Sequence, residues 1–324
     1  RSITTDSSKN VLIGGTFHGN IDIDGDGRDD LTSNGGEDGY AAKFDSNGHF
    51  IWAKNIGGDN YSITTDSNDN VLIGGRFYHN IDIDGDGSDD LILSESGFYY
   101  DGYVAKFDSD GNFIWAQNIK SNNYDTTYSI TTDSSNNVLI GGTFYGSIDI
   151  DGNGSDDLTS NGSSDGYAAK FDSGGNFIWA KNIGSSNYDY ATRIITDSSD
   201  NVLVGGSFLS KIDMDGDKND DLTSNGEYDG YVAKFDSDGN LVWANDIGGG
   251  GHDYVSSITI DSNDNVLVGG GFHGNIDIDN DKNNDLTFNG NSDGYAAKFD
   301  RDGNLVWANN IGGSDNDYAN SITT

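Results

Sequence analysis

An aspartate-rich stretch of ten residues occurs five times along the chain, with its oxygen-bearing side chains always at the same positions. The copies read DIDGDGRDDL, DIDGDGSDDL, DIDGNGSDDL, DMDGDKNDDL and DIDNDKNNDL, and they begin at residues 22, 82, 149, 213 and 277. Positions 1, 3, 5 and 9 are Asp or Asn in every copy, and position 10 is always Leu. Carboxylates at alternate positions of a tight turn can surround one hard cation, and Ca²⁺ takes roughly six to eight oxygen ligands.

The spacing therefore predicts one Ca²⁺ per stretch, five in all, and it favours Ca²⁺ over Mg²⁺, which keeps several waters and uses fewer carboxylates. Position 7 varies among the copies, as expected if only its main-chain carbonyl coordinates the ion. Positions 1, 3, 5 and 9 contribute side chains. The predicted ligands are Asp22, Asp24, Asp26, Arg28 and Asp30; Asp82, Asp84, Asp86, Ser88 and Asp90; Asp149, Asp151, Asn153, Ser155 and Asp157; Asp213, Asp215, Asp217, Asn219 and Asp221; and Asp277, Asp279, Asp281, Asn283 and Asp285.

Two other interpretations of the stretch are weaker. An EF-hand needs a bidentate Glu at position 12 and helices on both sides, whereas this chain has Ser, Leu or Phe at that position. A solvated acidic turn would not need to keep oxygen ligands at four fixed positions in five copies. Position 6, usually Gly, is Lys218 and Lys282 in the last two copies, so weaker binding is expected there.

Composition narrows the functional classes. The chain of 324 residues has a formal net charge of −37, which disfavours nucleic acid and anionic membrane surfaces as partners. Only three of its 54 acidic residues are glutamates, so the acid is concentrated in a side chain suited to turns and ion sites. There is no cysteine and no apolar run long enough for a membrane span. We expect an extracellular or cell-surface protein whose secretion signal lies outside this chain.

Five repeats of about 64 residues position the aspartate stretches. The five tryptophans lie 63 or 64 residues apart, and four short segments rich in β-branched and aromatic residues recur around each of them. Such segments, bounded by Asp, Ser, Asn and Gly, are typical of strands. Apolar groups on both strand faces predict sheets covered on both sides, as in the four-stranded antiparallel blades of a β-propeller.

The predicted fold is accordingly all-β, a single domain over residues 1–324 with five blades, or a segment of a longer array. The repeats run approximately over 2–61, 62–128, 129–192, 193–256 and 257–320. Residues 321–324 repeat the opening SITT, so they begin a further repeat or complete a blade. Self-association through these terminal strands is one expected mode of partnership.

The repeated sequence segments resemble those of a known protein family. DGYAAKFDSNGHFIWAKNIGG followed by SITTDSNDNVLIGG is similar to the bacterial SBBP β-propeller repeats, and this resemblance covers the chain five times. The aspartate stretch departs from that family and looks like the calcium loop of FG-GAP repeats in integrin-type propellers. The resemblance implies a propeller fold in a bacterial surface or secreted protein, and it implies little about activity.

Other motifs favour a non-catalytic protein. Two G-x-S-x-G matches, around Ser164 and Ser292, precede strands and lack a strand-to-helix elbow, so we interpret them as chance. The five histidines occupy no common slot and show no zinc spacing. One tryptophan per repeat favours packing between sheets over a sugar platform.

The second repeat contains an insertion, and Phe98, Tyr99 and Tyr100 within it form a candidate ligand or partner surface. The favoured function is a calcium-binding adhesion, binding or structural module. A glycan-binding lectin and a repeat unit of a surface filament are the alternatives, and a propeller enzyme is the least favoured.

Overall fold

The structure is a computed structural model that describes residues 1–94, 99–121, 123–279, 281 and 283–324, except for the side chains of residues 34 and 35. Within these ranges the chain consists of strands, turns and irregular segments, and no α-helix is present. None of the described segments is therefore a helix able to cross a membrane. The all-β prediction is confirmed.

The strands form antiparallel sheets in which consecutive strands pair in chain order. The first sheet contains β1 (Ser2–Thr5), β2 (Val11–Ile21), β3 (Leu31–Phe44) and β4 (Phe50–Asn55), and the second contains β5 (Asp59–Thr65), β6 (Val71–Phe77), β7 (Asp101–Phe107) and β8 (Phe113–Ile119). The third contains β9 (Thr126–Thr132), β10 (Val138–Phe144), β13 (Asp165–Phe171) and β14 (Phe177–Ile183), with a separate ribbon of β11 (Ser147–Ile148) and β12 (Leu158–Thr159).

Two further sheets complete the described chain. The fourth contains β15 (Asp189–Thr196), β16 (Val202–Ile212), β17 (Leu222–Phe235) and β18 (Leu241–Ile247), and the fifth contains β19 (Tyr254–Ile260), β20 (Val266–Phe272), β21 (Asp293–Phe299) and β22 (Leu305–Ile311). The described residues thus form five four-stranded sheets and one two-stranded ribbon. Each four-stranded sheet holds the four segments predicted for one repeat.

The hairpins between the third and fourth strands contain links such as DSNG and DSDG, which predict tight turns with Gly or Asn at positive φ. Glycines 48, 111, 175, 239 and 303 all have φ between 80° and 87°, the left-handed region that glycine adopts without strain. In the strand interiors a glycine is required where backbones approach closely. A Cβ on Gly75 would lie 1.8 Å from the carbonyl oxygen of Asp59 on the paired strand, so no larger residue fits there.

The chain divides into two compact units. Residues 1–140, 144–159 and 170–178 form the first, and residues 141–143, 160–169 and 179–324 form the second. The first unit has a core that includes Ile73, Phe77 and Tyr103, and the core of the second includes Val268, Phe272 and Tyr295.

Tryptophans join neighbouring sheets inside each unit. The indole N–H of Trp52 donates to the carbonyl of Ser109 in the next hairpin at 3.2 Å, and Trp179 does the same to Ser237 at 3.2 Å. The hairpin glycine lies against the indole face, since a Cβ on Gly111 would be 3.0 Å from the Trp52 ring. These contacts support the predicted packing role for the recurrent tryptophan.

An ion pair that no sequence motif predicted crosses each sheet, and it is buried in the first four sheets. The lysine of the AKFD segment contacts the aspartate that follows the first strand, with Nζ–Oδ2 distances of 2.7 to 2.9 Å. The pairs are Lys43–Asp6, Lys106–Asp66, Lys170–Asp133, Lys234–Asp197 and Lys298–Asp261. Burial raises the pKa of Asp66, but hydrogen bonds from Asn70 and Lys106 outweigh burial, and the pKa lies below its ordinary value.

Candidate metal centre

Each aspartate stretch lies at the tip of a neck formed by the second and third strands of its repeat, or by bridges that continue them. An isoleucine before position 1 faces the leucine of position 10 across the neck in every repeat. The pairs are Ile21–Leu31, Ile81–Leu91, Ile148–Leu158, Ile212–Leu222 and Ile276–Leu286. The N–H of the aspartate at position 9 donates to this isoleucine carbonyl at 2.8 Å in all five. The invariant Leu and Ile therefore fix the width of the loop.

Hydrogen bonds to the main chain shape the loop between these anchors. In the first copy Asp22 accepts from the N–H groups of Gly25 at 2.7 Å and Gly27 at 2.8 Å. Asp24 accepts from the N–H of Asp26 at 2.9 Å, and Asp30 accepts from Ile23 at 2.7 Å. The N–H of position 7 donates to the side chain of position 5, at 2.7 to 2.8 Å in all five loops.

Three carboxylates converge in every loop, with one ligand oxygen from each lying within 4.8 Å of the others. The groups are Asp22, Asp24 and Asp30; Asp82, Asp84 and Asp86; Asp149, Asp151 and Asp157; Asp213, Asp215 and Asp217; and Asp277, Asp279 and Asp285. Positions 1 and 3 are present in all five groups, joined by position 9 in three of them and by position 5 in two. The donor set is oxygen only and strongly anionic, which fits a hard divalent cation.

The carboxyl at position 9 has a raised pKa in three of the loops. Burial raises the pKa of Asp90, Asp221 and Asp285 at position 9, and the neighbouring aspartates at positions 1 and 3 raise it further. Position 1 differs in the first loop, where the N–H of Gly27 is the main reason that the pKa of Asp22 is lowered. A cation at the centre of each loop would relieve the repulsion among these groups.

In the last two loops position 6 is lysine, whereas it is glycine in the first three. Lys218 has a φ of 72° in the left-handed region, where the earlier loops place glycine, and its N–H donates to Asp213 at 3.0 Å. A non-glycine residue in this region is strained by about 1 kcal/mol. The backbone geometry of the loop is thus retained at an energetic cost. The equivalent Lys282 lies outside the described residues.

Two loops are attached to the sheet of the preceding repeat. The N–H of Asp149, position 1 of the third loop, donates to the carbonyl of Lys120 at the end of the second sheet, at 3.1 Å. Asp213, position 1 of the fourth loop, forms a bridge with Gly184 at the end of the third sheet. The first ligand of these loops therefore belongs to a contact between successive sheets.

A second set of recurrent aspartates is buried near the sheet ends. One group of them was identified from the sequence, and the other group was not. Asp38, Asp101, Asp165, Asp229 and Asp293 recur before the GYAAK or GYVAK segment, a position that predicts a cap of the turn into the third strand, and all five are fully buried. The set missed includes Asp125, Asp189 and Asp253, each of which accepts the main-chain N–H of the residue four positions before it. Burial raises the pKa of Asp125 to about 8 and that of Asp189 to about 7. Recurrence of Asp before the first strand of a repeat was the available signal.

The insertion of the second repeat contributes to a cluster of tyrosines. We use the name tyrosine cluster for Tyr78, Tyr99, Tyr100, Tyr124 and Tyr145, whose neighbouring ring centroids lie 4.8 to 6.1 Å apart. Arg76 is placed beside them, with its guanidinium carbon 4.3 Å from the Tyr100 ring centroid. Phe98, the third predicted residue of this surface, lies outside the described residues.

The two G-x-S-x-G serines are not available to a substrate. Ser164 is fully buried and Ser292 is 1% exposed. Among the described residues, Ser164 forms a parallel bridge with Tyr188, and Ser292 forms one with Asn316. Their place in the structure agrees with a chance match to the motif.

Comparison with known proteins gives distant likenesses. No family model matches the chain. An uncharacterized WD repeat-containing protein of Acanthamoeba polyphaga mimivirus is 26% identical over 211 residues, which is 57% of this chain and 14% of that protein. The chain thus spans about a seventh of the curated relative that it matches.

Solved structures align with the chain at low identity and low TM-score. A protein of unknown function from Bacteroides caccae aligns with 84% of this chain and 89% of its own, at 10% identity and a TM-score of 0.40. BamB from Moraxella catarrhalis aligns with 100% of this chain and 78% of its own, at 12% identity and a TM-score of 0.41.

Proposed function

We propose that the chain is a non-catalytic, extracellular, calcium-binding β-propeller of the SBBP type, used as an adhesion, binding or structural module of a bacterial surface or secreted protein. The observation that carries the proposal is the convergence of three carboxylates in each of five loops of one design. Attachment of two loops to the preceding sheet supports a structural use of the ion, because binding there would strengthen contacts between sheets. In this proposal each four-stranded sheet is one blade.

Calcium stoichiometry tests the proposal directly. Equilibrium dialysis of the chelator-stripped protein against Ca²⁺ is expected to give five bound ions. The double variant Asp22→Asn, Asp30→Asn removes two of the three converging carboxylates of the first loop, so the expected value is four. A matched control, Asp29→Asn, changes an aspartate of the same loop outside the predicted ligand positions and is expected to retain five. Binding of no ion, or equal stoichiometry in all three proteins, would refute the calcium assignment.

A lectin is the second candidate function, and the tyrosine cluster is the observation that favours it. Arg76 lies against three tyrosine rings, Tyr61, Tyr78 and Tyr100, and its Nε donates to Asp59 at 3.1 Å. Tyr78 is 44% exposed. Aromatic faces beside polar hydrogen-bonding groups suit the apolar faces and hydroxyls of a sugar ring.

The repeats supply conservative variants for testing the lectin. Arg76→Thr and Tyr100→Ser introduce residues found at the same positions of other repeats, Thr143 and Ser164, so the sheets should still form. On a glycan array the parent chain is expected to bind a defined set of saccharides, and both variants are expected to lose at least tenfold in affinity. Tyr228→Ser, in the fourth repeat, is the control and should bind normally. An array without binding would exclude the lectin and leave the calcium stoichiometry unaffected.

A further inference from the structure

The fourth repeat carries an acid where every other repeat carries an amide. Asp246 occupies the position near the end of the fourth strand that is Asn55, Asn118, Asn182 or Asn310 elsewhere. In the fifth sheet this amide donates its Nδ2 hydrogen to the buried Asp293 at 2.8 Å. In the first sheet Asn55 donates to Asp38 in the same way, also at 2.8 Å. In these two sheets the residue donates a hydrogen bond to a buried carboxylate, and in the second sheet Asn118 donates to the Ile92 carbonyl instead.

An ionised aspartate cannot donate such a hydrogen bond. Asp229 is fully buried, and Asp246 lies within hydrogen-bonding reach of it. Asn225 contacts both carboxyls, its N–H at 2.8 Å from Asp229 Oδ2 and its Nδ2 at 3.2 Å from Asp246 Oδ2. The Oδ1 atoms of both carboxyls are buried and have no hydrogen-bond partner. Two charged carboxylates so placed would repel each other strongly, whereas one shared proton supplies the missing donor.

We propose that Asp229 and Asp246 form a proton-binding site, in which one proton is held between the two carboxyls in the folded protein at neutral pH and is released in mildly alkaline solution. Burial is the main cause that raises the pKa of each group, to about 7 for Asp229 and about 8 for Asp246. The two groups titrate as a pair, so neither value belongs to one residue alone, and the direction of both is upward.

The groups that face the pair do not compensate a second negative charge. Asp253, itself buried, adds repulsion to both carboxyls. His252 and His273 face Asp253 from the adjoining loops, and His252 is paired with Glu227 at 2.6 Å. In the described ranges no lysine or arginine forms an ion pair with Asp229 or Asp246. The proton is therefore the available source of positive charge at the pair.

The segment that covers the pair could respond to loss of the proton. Residues 248–251 are four consecutive glycines, a run found only in this repeat. A Cβ on Gly248 would lie 2.0 Å from Cγ of Asp229, so the backbone of this run rests directly on the carboxyl. Repulsion between two ionised carboxyls is expected to increase the mobility of residues 248–253. The shared proton would therefore hold this segment against the end of the fourth sheet in a pH-dependent way.

The sign of the pH effect follows from the direction of the pKa changes. Both are raised in the folded state, so the pair contributes stability that is fully present below the ordinary pKa of an aspartate and is lost as pH rises through about 7 and 8. Over the pH range in which the folded pair is protonated and the unfolded chain is not, unfolding releases this proton. The equilibrium constant for unfolding therefore rises about tenfold per pH unit.

The test compares the calcium-saturated parent chain with Asp246→Asn, which restores the amide of the other repeats. Near pH 7, unfolding of the parent is expected to release one more proton than unfolding of the variant. The infrared difference spectrum should contain the carbonyl band of one protonated carboxyl. The protection of residues 248–253 from hydrogen exchange, taken relative to the intrinsic base-catalysed rate at each pH, should fall above about pH 8 in the parent only. Asp229→Asn, which also leaves one carboxyl, should behave as Asp246→Asn does.

Transplantation provides the matched control. Asn310→Asp places the same pair opposite Asp293 in the fifth sheet and is expected to add a proton to the release measured on unfolding. Equal proton release from the parent and Asp246→Asn would overturn the proposal. It would also be overturned by a cation at the pair, seen as loss of the protonated-carboxyl band when the metal is added. Neither result depends on the five aspartate loops, whose calcium content is measured separately.

Discussion

Removal of calcium is expected to lower the melting temperature of this protein more than any single substitution does. A ligand that binds only the folded state stabilises it by about 2.7 kcal/mol when its free concentration is one hundred times its dissociation constant. Under the calcium proposal, five such sites would act together on one chain. The ions would also reduce the net charge from −37 to −27, and they would remove repulsion within loops that hold three converging carboxylates each.

Calorimetry in chelator, followed by addition of Ca²⁺, measures this effect. We expect a large fall in melting temperature that is fully reversed by Ca²⁺ and only weakly reversed by equimolar Mg²⁺. The double variant Asp149→Asn, Asp157→Asn should show a smaller dependence on Ca²⁺, because it disables the loop that is bonded to Lys120 of the preceding sheet. A melting curve that is indifferent to both chelator and added Ca²⁺ would contradict the calcium proposal.

The strand content of the chain was accessible from the sequence because it is encoded locally. Alternating apolar segments, bounded by turns such as DSNG, predict four strands per repeat, and the glycines of those turns have the positive φ that the turn requires. The length of the strands was harder to predict from the sequence. In the first and fourth repeats, the second and third strands continue to the neck of the loop, whereas the second and fifth repeats have only isolated bridges there. In the first and fifth repeats the sequence before the loop is HGNI in both, yet only the first has continuous strands there, so pairing depends on surroundings that the sequence pattern does not contain.

The candidate metal loops were predictable in the same local sense, since their ligands fall within ten residues. Convergence of positions 1 and 3 with either 5 or 9 agrees with the spacing. The buried pairs were not predictable, because Lys106 and Asp66 lie 40 positions apart and meet only when the third strand crosses the turn that follows the first. The significance of Asp246 likewise needed the contact made by Asn310 in the fifth sheet, where the amide at this position donates a hydrogen bond to a buried carboxylate.

Substitution of Lys106 is expected to destabilise the fold severely. Its Nζ lies 2.9 Å from Asp66, and the two side chains are 4% and 0% exposed. Nζ also donates to the carbonyl of Ser173 at 3.1 Å, which joins the second sheet to the next hairpin of the same unit. Removing one member of a buried ion pair costs about 3 to 5 kcal/mol, because the remaining charge stays buried without its partner. Lys106→Met should therefore cost about 3 kcal/mol, the lower value, since Asp66 keeps its bonds to Asn68 and Asn70.

Lys298 is the matched control for this prediction. It forms the same pair with Asp261 at 2.8 Å, but the side chains are 23% and 18% exposed, so water can solvate the remaining carboxylate. Lys298→Met is therefore expected to destabilise the fold clearly less than Lys106→Met does. The pH dependence separates the ion pair from the packing of the lysine stem. The pKa of Asp66 is lowered in the folded state, so the pair stabilises the fold above the ordinary aspartate pKa and loses its effect as pH falls below it. Denaturant unfolding at neutral and acidic pH should show the cost of Lys106→Met shrinking in acid. Equal costs for the two lysines, or a cost that does not change with pH, would show that packing of the lysine stem, and not the buried charge pair, holds the sheet to its turn.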